Sequence, residues 1–169
     1  LNVMDRRKFV KSTAAIGGTG LLLGNFPLQA MVHNSVNDVI KIAMIGCGGR
    51  CTGAAIQALS TKQNVRLVAM ADAFADRIEE SIKAIKKEID DTGMDKSRFG
   101  VTPDTQFVGF DAYKKVLPLC DVVLIATPPG FRPIHFEEAV RQGKQIFMEK
   151  PVATDAVGVR RVLAAAQIA

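Results

Sequence analysis

The chain has few of the side chains that build disulfide scaffolds and metal centres. It contains three cysteines, Cys47, Cys51 and Cys120, and two histidines, His33 and His135. Three cysteines cannot form a closed set of disulfides, no two of them stand in a C-x-x-C pair, and a zinc site would need more ligands. We therefore expect no metal site, and we interpret the cysteines as small buried packing residues.

Aromatic residues and concentrated charge are also scarce. The chain has no tryptophan and 6% aromatic residues, with 48% hydrophobic and 23% charged residues, which is typical of a soluble globular protein. The net charge is +5, and residues 1–30 contribute most of it through Arg6, Arg7, Lys8 and Lys11. Because the rest of the chain has no basic cluster interleaved with aromatics, we expect no nucleic-acid partner. A length of 169 residues allows one domain with a hydrophobic core.

The basic residues near the start of the chain precede a short apolar run. The segment Arg6-Arg7-Lys8-Phe9-Val10-Lys11 resembles a twin-arginine export signal, whose usual pattern is Arg-Arg-x-Phe-Leu-Lys. Residues 13–23 are too few to span a bilayer of roughly 30 Å as a helix, and Ala30 is the predicted cleavage position. We expect a signal peptide at residues 1–30, a linker at 31–38, and a periplasmic or otherwise extracytoplasmic protein without membrane attachment after signal removal. The alternative is a short amphipathic or uncleaved N-terminal helix.

Strand-like and helix-like segments alternate through the rest of the chain. The predicted strands are short apolar runs at residues 39–45, 65–71, 106–108, 121–126 and 145–148. The predicted helices are residues 49–59, a segment with the apolar stripe Ile78, Ile82, Ile85 and Ile89, residues 111–117, a segment from Pro133 to Gly143, and a last helix capped by Thr154 or Asp155. Residues 90–104 are predicted to form a loop. This order predicts an α/β fold, a Rossmann-type doubly wound parallel sheet with helices on both faces, at residues 39–169.

A glycine-rich turn follows the first predicted strand. Gly46 and Gly48 would let the backbone approach a diphosphate closely, and the next helix would offer its N-terminal amides to the phosphates. Cys51 occupies the position of the third glycine in G-x-G-x-x-G, where a small side chain is needed for helix–strand packing. The turn therefore predicts dinucleotide binding.

An acidic residue, Asp72, stands at the end of the second predicted strand, 24 residues after Gly48. A carboxylate at this place accepts hydrogen bonds from the ribose hydroxyls of adenosine and repels a 2′-phosphate, which favours NAD over NADP. The alternative is that Asp72 only caps the following helix.

Two further motifs end the fourth and fifth predicted strands at the same edge of the sheet. Ala126-Thr127-Pro128-Pro129 predicts a stiff loop able to lie along a cofactor. Glu149-Lys150-Pro151 places Lys150 where it can donate hydrogen bonds to a substrate hydroxyl, although an exposed loop lysine is the alternative. The Lys150–Pro151 bond is a candidate for the cis form.

These motifs, in this order, resemble the Gfo/Idh/MocA oxidoreductase family over residues 39–169. The resemblance implies an NAD-binding domain of an enzyme that acts by hydride transfer. It implies the following roles: Gly46, Gly48, Gly49 and Arg50 near the pyrophosphate, Asp72 on the ribose, Thr127 and Pro128 along the cofactor, and Glu149 and Lys150 near the nicotinamide, with Lys150 as the catalytic residue. Many relatives carry a histidine where His135 stands, and we interpret this residue as structural.

The resemblance also implies a second half of the protein. Members of the family carry a C-terminal α/β substrate domain that is absent from this chain, so we expect these residues alone to be inactive. The full-length protein is expected to be a homo-oligomer that oxidises or reduces a sugar or cyclitol, carrying tightly bound NAD through export. Two alternatives stay open: an NAD-dependent glycosidase of the same superfamily, and a non-catalytic NAD-binding module.

Overall fold

The computed structural model describes residues 38–169, which form a single five-stranded sheet with helices packed on it. The strands are β1 (Ile40–Ile45), β2 (Val65–Asp72), β3 (Gln106–Val108), β4 (Val122–Ile125) and β5 (Gln145–Met148). The helices are α1 (Gly49–Leu59), α2 (Ala75–Thr92), α3 (Ala112–Val116), α4 (Arg132–Arg141) and α5 (Ala156–Ala166). All strand pairs are parallel, and the strand order is β3-β2-β1-β4-β5.

The central strand is buried on both faces because its apolar side chains alternate between two cores. Ile42 and Met44 pack with α1 and α2 in one cluster of buried residues. Ala43 and Ile45 pack in a second cluster, with side chains from α3 and α4. Parallel strands covered on both faces need near-continuous apolar sequence, which explains the pattern of β1. The predicted doubly wound fold with helices on both faces is confirmed.

Helix α2 extends further than the sequence predicted. Ile78, Ile85 and Ile89 are buried as the stripe requires, but the helix continues through Thr92, so the loop predicted from residue 90 is wrong at its start. Gly93 ends the helix in the left-handed conformation, with φ of 68°, and its N–H donates to the carbonyl of Asp90. Glycine adopts this left-handed conformation without steric cost, whereas the polar residues before it do not, so the helix ends at Gly93.

The other helix ends follow ordinary capping chemistry. Helix α4 begins one residue before Pro133 and is followed by Gly143, whose φ is 64°. Asp155 caps α5, since its side chain accepts a hydrogen bond from the N–H of Gly158 at 2.6 Å. Of the two caps predicted from the sequence, the structure therefore selects Asp155 over Thr154.

The strand order creates a crevice at one edge of the sheet. The chain winds from β1 to β2 and β3 on one side, and β4 and β5 lie on the other side of β1. At such a reversal, the loops after neighbouring strands diverge and leave room for a ligand beyond the carboxyl ends.

The predictions for residues 1–30 and for most of the linker lie outside the described residues. Within residues 38–169, no helix is long and apolar enough to cross a membrane.

Candidate functional site

A cavity of about 450 Å³ lies at the carboxyl edge of the sheet, at the crevice that the strand order predicts. Its wall is formed by residues that follow β1, β2, β3 and β4, together with the start of α4. Among the predicted site residues, the cavity is lined by Gly46, Gly48, Asp72, Thr127 and Pro128. The remaining predicted residues, Gly49, Arg50, Glu149 and Lys150, are not part of this wall.

Gly46 brings the loops after β1 and β4 into direct contact. Its φ is +88°, and a Cβ atom at this position would lie 2.8 Å from both the backbone nitrogen and Cγ2 of Thr127. Neither the conformation nor the space permits another residue without rearrangement. Gly46 is therefore needed for the folded turn itself.

Gly48 differs from Gly46 because nothing in the protein crowds it. A Cβ atom at Gly48 or Gly49 would meet no protein atom within 4 Å, and Gly48 has an ordinary extended conformation. Gly48 is the N-cap of α1, without a side-chain hydrogen bond, and the first turn of α1 carries no acidic residue. The positive end of this helix dipole thus opens beside the cavity with no acidic residue in its own first turn, an arrangement that suits an anionic group such as a diphosphate.

The carboxylate of Asp72 accepts hydrogen bonds from two backbone N–H groups, one in the glycine-rich turn and one just after β2. Its Oδ2 accepts a hydrogen bond from the N–H of Cys47 at 2.6 Å, and its Oδ1 accepts one from the N–H of Phe74 at 3.0 Å. The N-cap of α2 is Phe74, not Asp72, and it makes no side-chain cap bond. The carboxylate therefore links the glycine-rich turn to the segment that follows β2, with one oxygen bound to each.

The three cysteines are packing residues, as predicted. Cys47, Cys51 and Cys120 are all free and buried. Burial raises the pKa of each thiol, to about 12 for Cys51 and about 11 for Cys120. The Cys51 thiol lies 3.6 Å from the carbonyl oxygen of Leu124, so cysteine fills the third-glycine position without opening the helix–strand contact. Within residues 38–169, no group of side chains could hold a metal ion.

Arg50 and Glu149 form an ion pair beside the cavity. The Nε of Arg50 donates to Oε1 of Glu149 at 2.6 Å, and a second guanidinium nitrogen contacts the same oxygen. The hydrogen bond from Arg50 lowers the pKa of Glu149. The side chain of Glu149 is 10% exposed and that of Arg50 is 57% exposed, so the arginine presents a largely accessible cation at the start of α1.

Lys150 is exposed and follows Glu149 of this ion pair in sequence, two residues after the end of β5. The peptide bond between Lys150 and Pro151 is cis, as the sequence suggested. The backbone N–H of Glu149 donates to the carbonyl of Ile125 at 2.9 Å, which extends the sheet ladder up to the residue before the lysine.

His135 is a buried residue of the cavity wall and contacts Thr127. Its Nδ1 lies 3.1 Å from Oγ1 of Thr127, and its ring packs against Tyr113 at a centroid distance of 4.5 Å. Burial lowers the pKa of His135 to about 4. The imidazole is therefore neutral near pH 7, and its contacts fit the structural role predicted for it.

Arg132 is a residue that the sequence predictions missed. It is 7% exposed, and its guanidinium donates to the carbonyl oxygens of Thr127, Glu149 and Pro151 at 2.6, 2.8 and 2.5 Å. The sequence did contain one indication of its role. A cation in the first turn of a helix is repelled by the positive end of the helix dipole, so other contacts must stabilise it. The carbonyl partners themselves cannot be read from sequence.

Three phenylalanines around the cavity mouth, which we call the aromatic rim, were also missed. Phe74, Phe110 and Phe131 line the cavity and are 61%, 70% and 43% exposed. Phe110 and Phe131 stack with ring centroids 5.9 Å apart. Single aromatics in three separate loops carry no pattern that sequence analysis can detect.

Strand order, glycine turn and cavity together define a Rossmann nucleotide-binding domain. Residues 40–169 match the family model described as Gfo/Idh/MocA, oxidoreductase family, NAD-binding Rossmann fold. The chain belongs to this family, and the resemblance deduced from its motifs is confirmed.

Solved structures with the same fold include two dehydrogenases and a ketoreductase. Myo-inositol dehydrogenase from Lactobacillus casei, solved with NAD(H) and myo-inositol, is 22% identical with a TM-score of 0.57, covering 76% of this chain and 33% of that one. A 3-ketoreductase from Actinomadura kijaniata, solved with TDP-benzene and NADP, is 25% identical with a TM-score of 0.54, covering 77% and 35%. UDP-N-acetylglucosamine 3-dehydrogenase from Acidithiobacillus ferrooxidans is 20% identical with a TM-score of 0.55, covering 77% and 34%.

The chain spans about a third of the length of each of these structures. Identities this low show a shared fold. No curated protein matches the chain significantly.

Proposed function

We propose that this chain is the NAD-binding half of an oxidoreductase that transfers hydride between NAD and a carbinol carbon of a sugar or cyclitol. The observation that carries this proposal is the convergence of Gly48, Asp72 and Thr127 on one cavity at the carboxyl edge of the sheet. A phosphate-binding helix end, a carboxylate for ribose and a stiff loop are the parts that a dinucleotide site requires.

Several residues would hold the cofactor. The free N–H groups at the start of α1 would bind the diphosphate, with Arg50 adding an accessible cation beside them. The carboxylate of Asp72 would accept hydrogen bonds from the adenosine ribose and repel a 2′-phosphate, which favours NAD over NADP. The aromatic rim would pack on the adenine ring. When bound, NAD supplies the nicotinamide ring that accepts or returns the hydride.

Lys150 is the proposed catalytic residue. An ammonium group can donate a hydrogen bond to the substrate hydroxyl and stabilise the oxygen as negative charge develops on it. The ion pair of Glu149 with Arg50 fixes the residue before Lys150 while leaving the lysine exposed. The names of two similar structures, myo-inositol dehydrogenase and UDP-N-acetylglucosamine 3-dehydrogenase, support a polyhydroxylated substrate.

The direct test is hydride transfer by the intact protein. Purified protein is incubated with NAD and, in turn, myo-inositol, scyllo-inositol and common hexoses, and reduced nicotinamide is followed by its absorbance. We expect turnover with at least one polyol, and a loss of at least about 100-fold in kcat for Lys150→Ala. Lys83→Ala, at an exposed position of α2, is the matched control and should retain activity. NAD binding without turnover on any polyol, or full activity of Lys150→Ala, would contradict the proposal.

We also propose that residues 1–30 direct export of the folded protein to the periplasm with its NAD already bound. The support is the sequence Arg6-Arg7-Lys8-Phe9-Val10-Lys11 followed by a short apolar run. Cell fractionation should find the wild type in the periplasm, with NAD released on denaturation, and the double variant Arg6→Lys, Arg7→Lys in the cytoplasm. Equal distribution of the two proteins would contradict export by this route.

We propose further that the intact protein is a homo-oligomer. Helix α5 and the residues after it expose apolar side chains, with Val157, Leu163 and Ile168 each at least 60% exposed. Several large apolar side chains exposed on one element are a feature of surfaces that an assembly covers. Sedimentation equilibrium of the intact protein should give a mass above that of one chain, and a monomer at micromolar concentration would contradict this.

A further inference from the structure

Arg132 makes an unusual set of contacts for a buried cation. All three hydrogen bonds that the structure gives its guanidinium end on main-chain carbonyl oxygens, and they reach two different loops. Removing a guanidinium from water is costly unless its donors are satisfied, so these bonds are the compensation that allows the burial. The side chain therefore holds the two loops in a fixed relation.

The two loops are those that carry the proposed chemistry. Nε binds the carbonyl of Thr127, in the loop after β4, while Nη1 binds the carbonyls of Glu149 and Pro151. These last two residues flank Lys150 on both sides. We call residues 149–151 the lysine loop. One nitrogen of Arg132 thus restrains the backbone immediately before and immediately after the lysine, while Lys150 itself stays exposed.

The opposite side of the lysine loop is restrained independently. The N–H of Glu149 is bound to the carbonyl of Ile125, and its carboxylate is paired with Arg50. With Arg132 these contacts hold Glu149 through its N–H, its carbonyl and its side chain. The backbone that carries the lysine side chain is therefore fixed by contacts with three elements, β4, α1 and α4.

An arginine suits this task better than a lysine. The guanidinium is a rigid planar fork whose nitrogens point in different directions, so one side chain can bind two loops at a fixed separation. A lysine ammonium at the same place would offer a single nitrogen on a flexible stem. The position in the first turn of α4, which is electrostatically unfavourable for a cation, indicates that these contacts outweigh the repulsion.

We propose that Arg132 is a positioning residue for hydride transfer: it locks the lysine loop against Thr127, so that Lys150 meets the substrate in one productive place. This inference rests on the proposed function. It differs from a direct role in cofactor binding, which the location of Arg132 in the cavity wall would also allow. Misplacing a catalytic group by about 1 Å can reduce the rate about 100-fold, which sets the size of the expected effect.

The test uses Arg132→Ala and Arg132→Lys in the intact protein, with Arg141→Ala as the matched control in the last turn of the same helix. The Arg141 side chain is exposed and paired only with Glu138 among the ion pairs of the described residues. We expect both Arg132 variants to keep the Kd for NAD within about threefold and the KM within about threefold, while kcat falls at least about 100-fold. Free guanidinium ion should restore at least part of kcat in Arg132→Ala, and not in Lys150→Ala.

A second readout needs no turnover. Hydrogen–deuterium exchange of the amides in the lysine loop should accelerate in Arg132→Lys, while exchange in β1 and α1 stays at the wild-type rate. Arg132→Lys retains a buried charge and a donor, so it serves if Arg132→Ala does not fold.

The outcomes separate the inference from the proposed function. Wild-type kcat or unchanged loop exchange in Arg132→Lys, with an active wild type, would overturn the inference alone. A loss of NAD affinity equal to the loss of kcat would replace it with a cofactor-binding role. A wild-type protein that binds NAD but transfers no hydride would overturn the proposed function, and the inference with it.

Discussion

Gly46 and Gly48 stand two residues apart in the same turn, yet the structure gives them different tasks. At Gly46 a Cβ atom would overlap Thr127, and φ lies in the left-handed region. At Gly48 neither obstacle exists, and the space beside it is open. The first glycine is therefore required by the folded turn, and we propose that the second leaves room for a ligand.

A pair of substitutions separates these tasks. Gly46→Ala should lower the free energy of unfolding by about 2 kcal/mol or more, from backbone strain and overlap combined. Gly48→Ala should change it by only a few tenths of a kcal/mol, but weaken NAD binding at least about tenfold. Urea denaturation and calorimetric titration of both variants check this. Equal effects of the two substitutions on stability would contradict the distinction.

The buried imidazole of His135 makes stability depend on pH. Its pKa is about 4 in the folded protein, against an ordinary value of 6.5. Between these values the unfolded chain takes up a proton that the folded chain excludes, so stability is lost as the pH falls through this range. The wild type should lose roughly 2–3 kcal/mol from this group between about pH 7 and pH 4.

His135→Gln removes the titrating group and keeps a polar partner for Thr127. Its free energy of unfolding should therefore fall less steeply than that of the wild type as the pH is lowered. Urea midpoints measured across this range provide the comparison, and parallel curves for the two proteins would show that His135 does not titrate as described.

Residues with a motif were predictable, and residues without one were not. Strand, turn and helix signals predicted that Gly46, Gly48, Asp72 and Thr127 lie at one edge of a sheet, and all four line the same cavity. Arg132 binds carbonyl groups on both sides of β5, and Phe110 stacks on Phe131 in another loop, and no sequence pattern marks those partners. The double hydrogen bonding of Asp72 to Cys47 and Phe74 likewise depends on how two loops meet.

At the scale of elements, helix boundaries follow from caps more than from composition. The helix predicted at residues 49–59 has the same bounds as α1, because the glycine turn marks its start and the polar residues after Leu59 mark its end. The end of α2 was misplaced because a run of Asp residues resembles a loop, while the real stop signal is Gly93. Helix α5 was left with two candidate caps that only the structure distinguishes.

That choice of cap gives a prediction for α5. Asp155→Ala should lower the free energy of unfolding by about 1 kcal/mol, because it removes the acceptor for the N–H of Gly158. Thr154→Ala is the matched control and should have little effect, since Thr154 is exposed and is not the cap. Thermal or urea unfolding checks both variants, and a larger loss for Thr154→Ala would show that the cap is assigned to the wrong residue.

At the scale of the whole molecule, the arrangement of strands places every proposed functional group at one edge. The order β3-β2-β1-β4-β5 brings the ends of β1, β2 and β4 together, although their sequences are far apart. The alternation of strands and helices predicts a parallel sheet, and right-handed crossovers restrict its possible orders. The depth and aromatic rim of the cavity depend on side-chain packing and could not be predicted.

In the proposed function, Asp72 determines the choice of cofactor. Substituting it affects stability as well as binding, because its carboxylate accepts hydrogen bonds from two backbone N–H groups. The ratio of NAD to NADP affinity is independent of that loss, provided that the titrated protein is folded. The ratio therefore reports on the ribose contact alone.

The most direct measurement is calorimetric titration of the intact folded protein, freed of bound nucleotide, with NAD and with NADP. The account predicts binding of NAD at one site per chain, tighter than that of NADP. In Asp72→Ser the affinity for NAD should fall at least about tenfold and the preference over NADP should disappear. Absence of heat from NAD in the wild type, or an unchanged preference in Asp72→Ser, would contradict the assignment of this crevice to NAD.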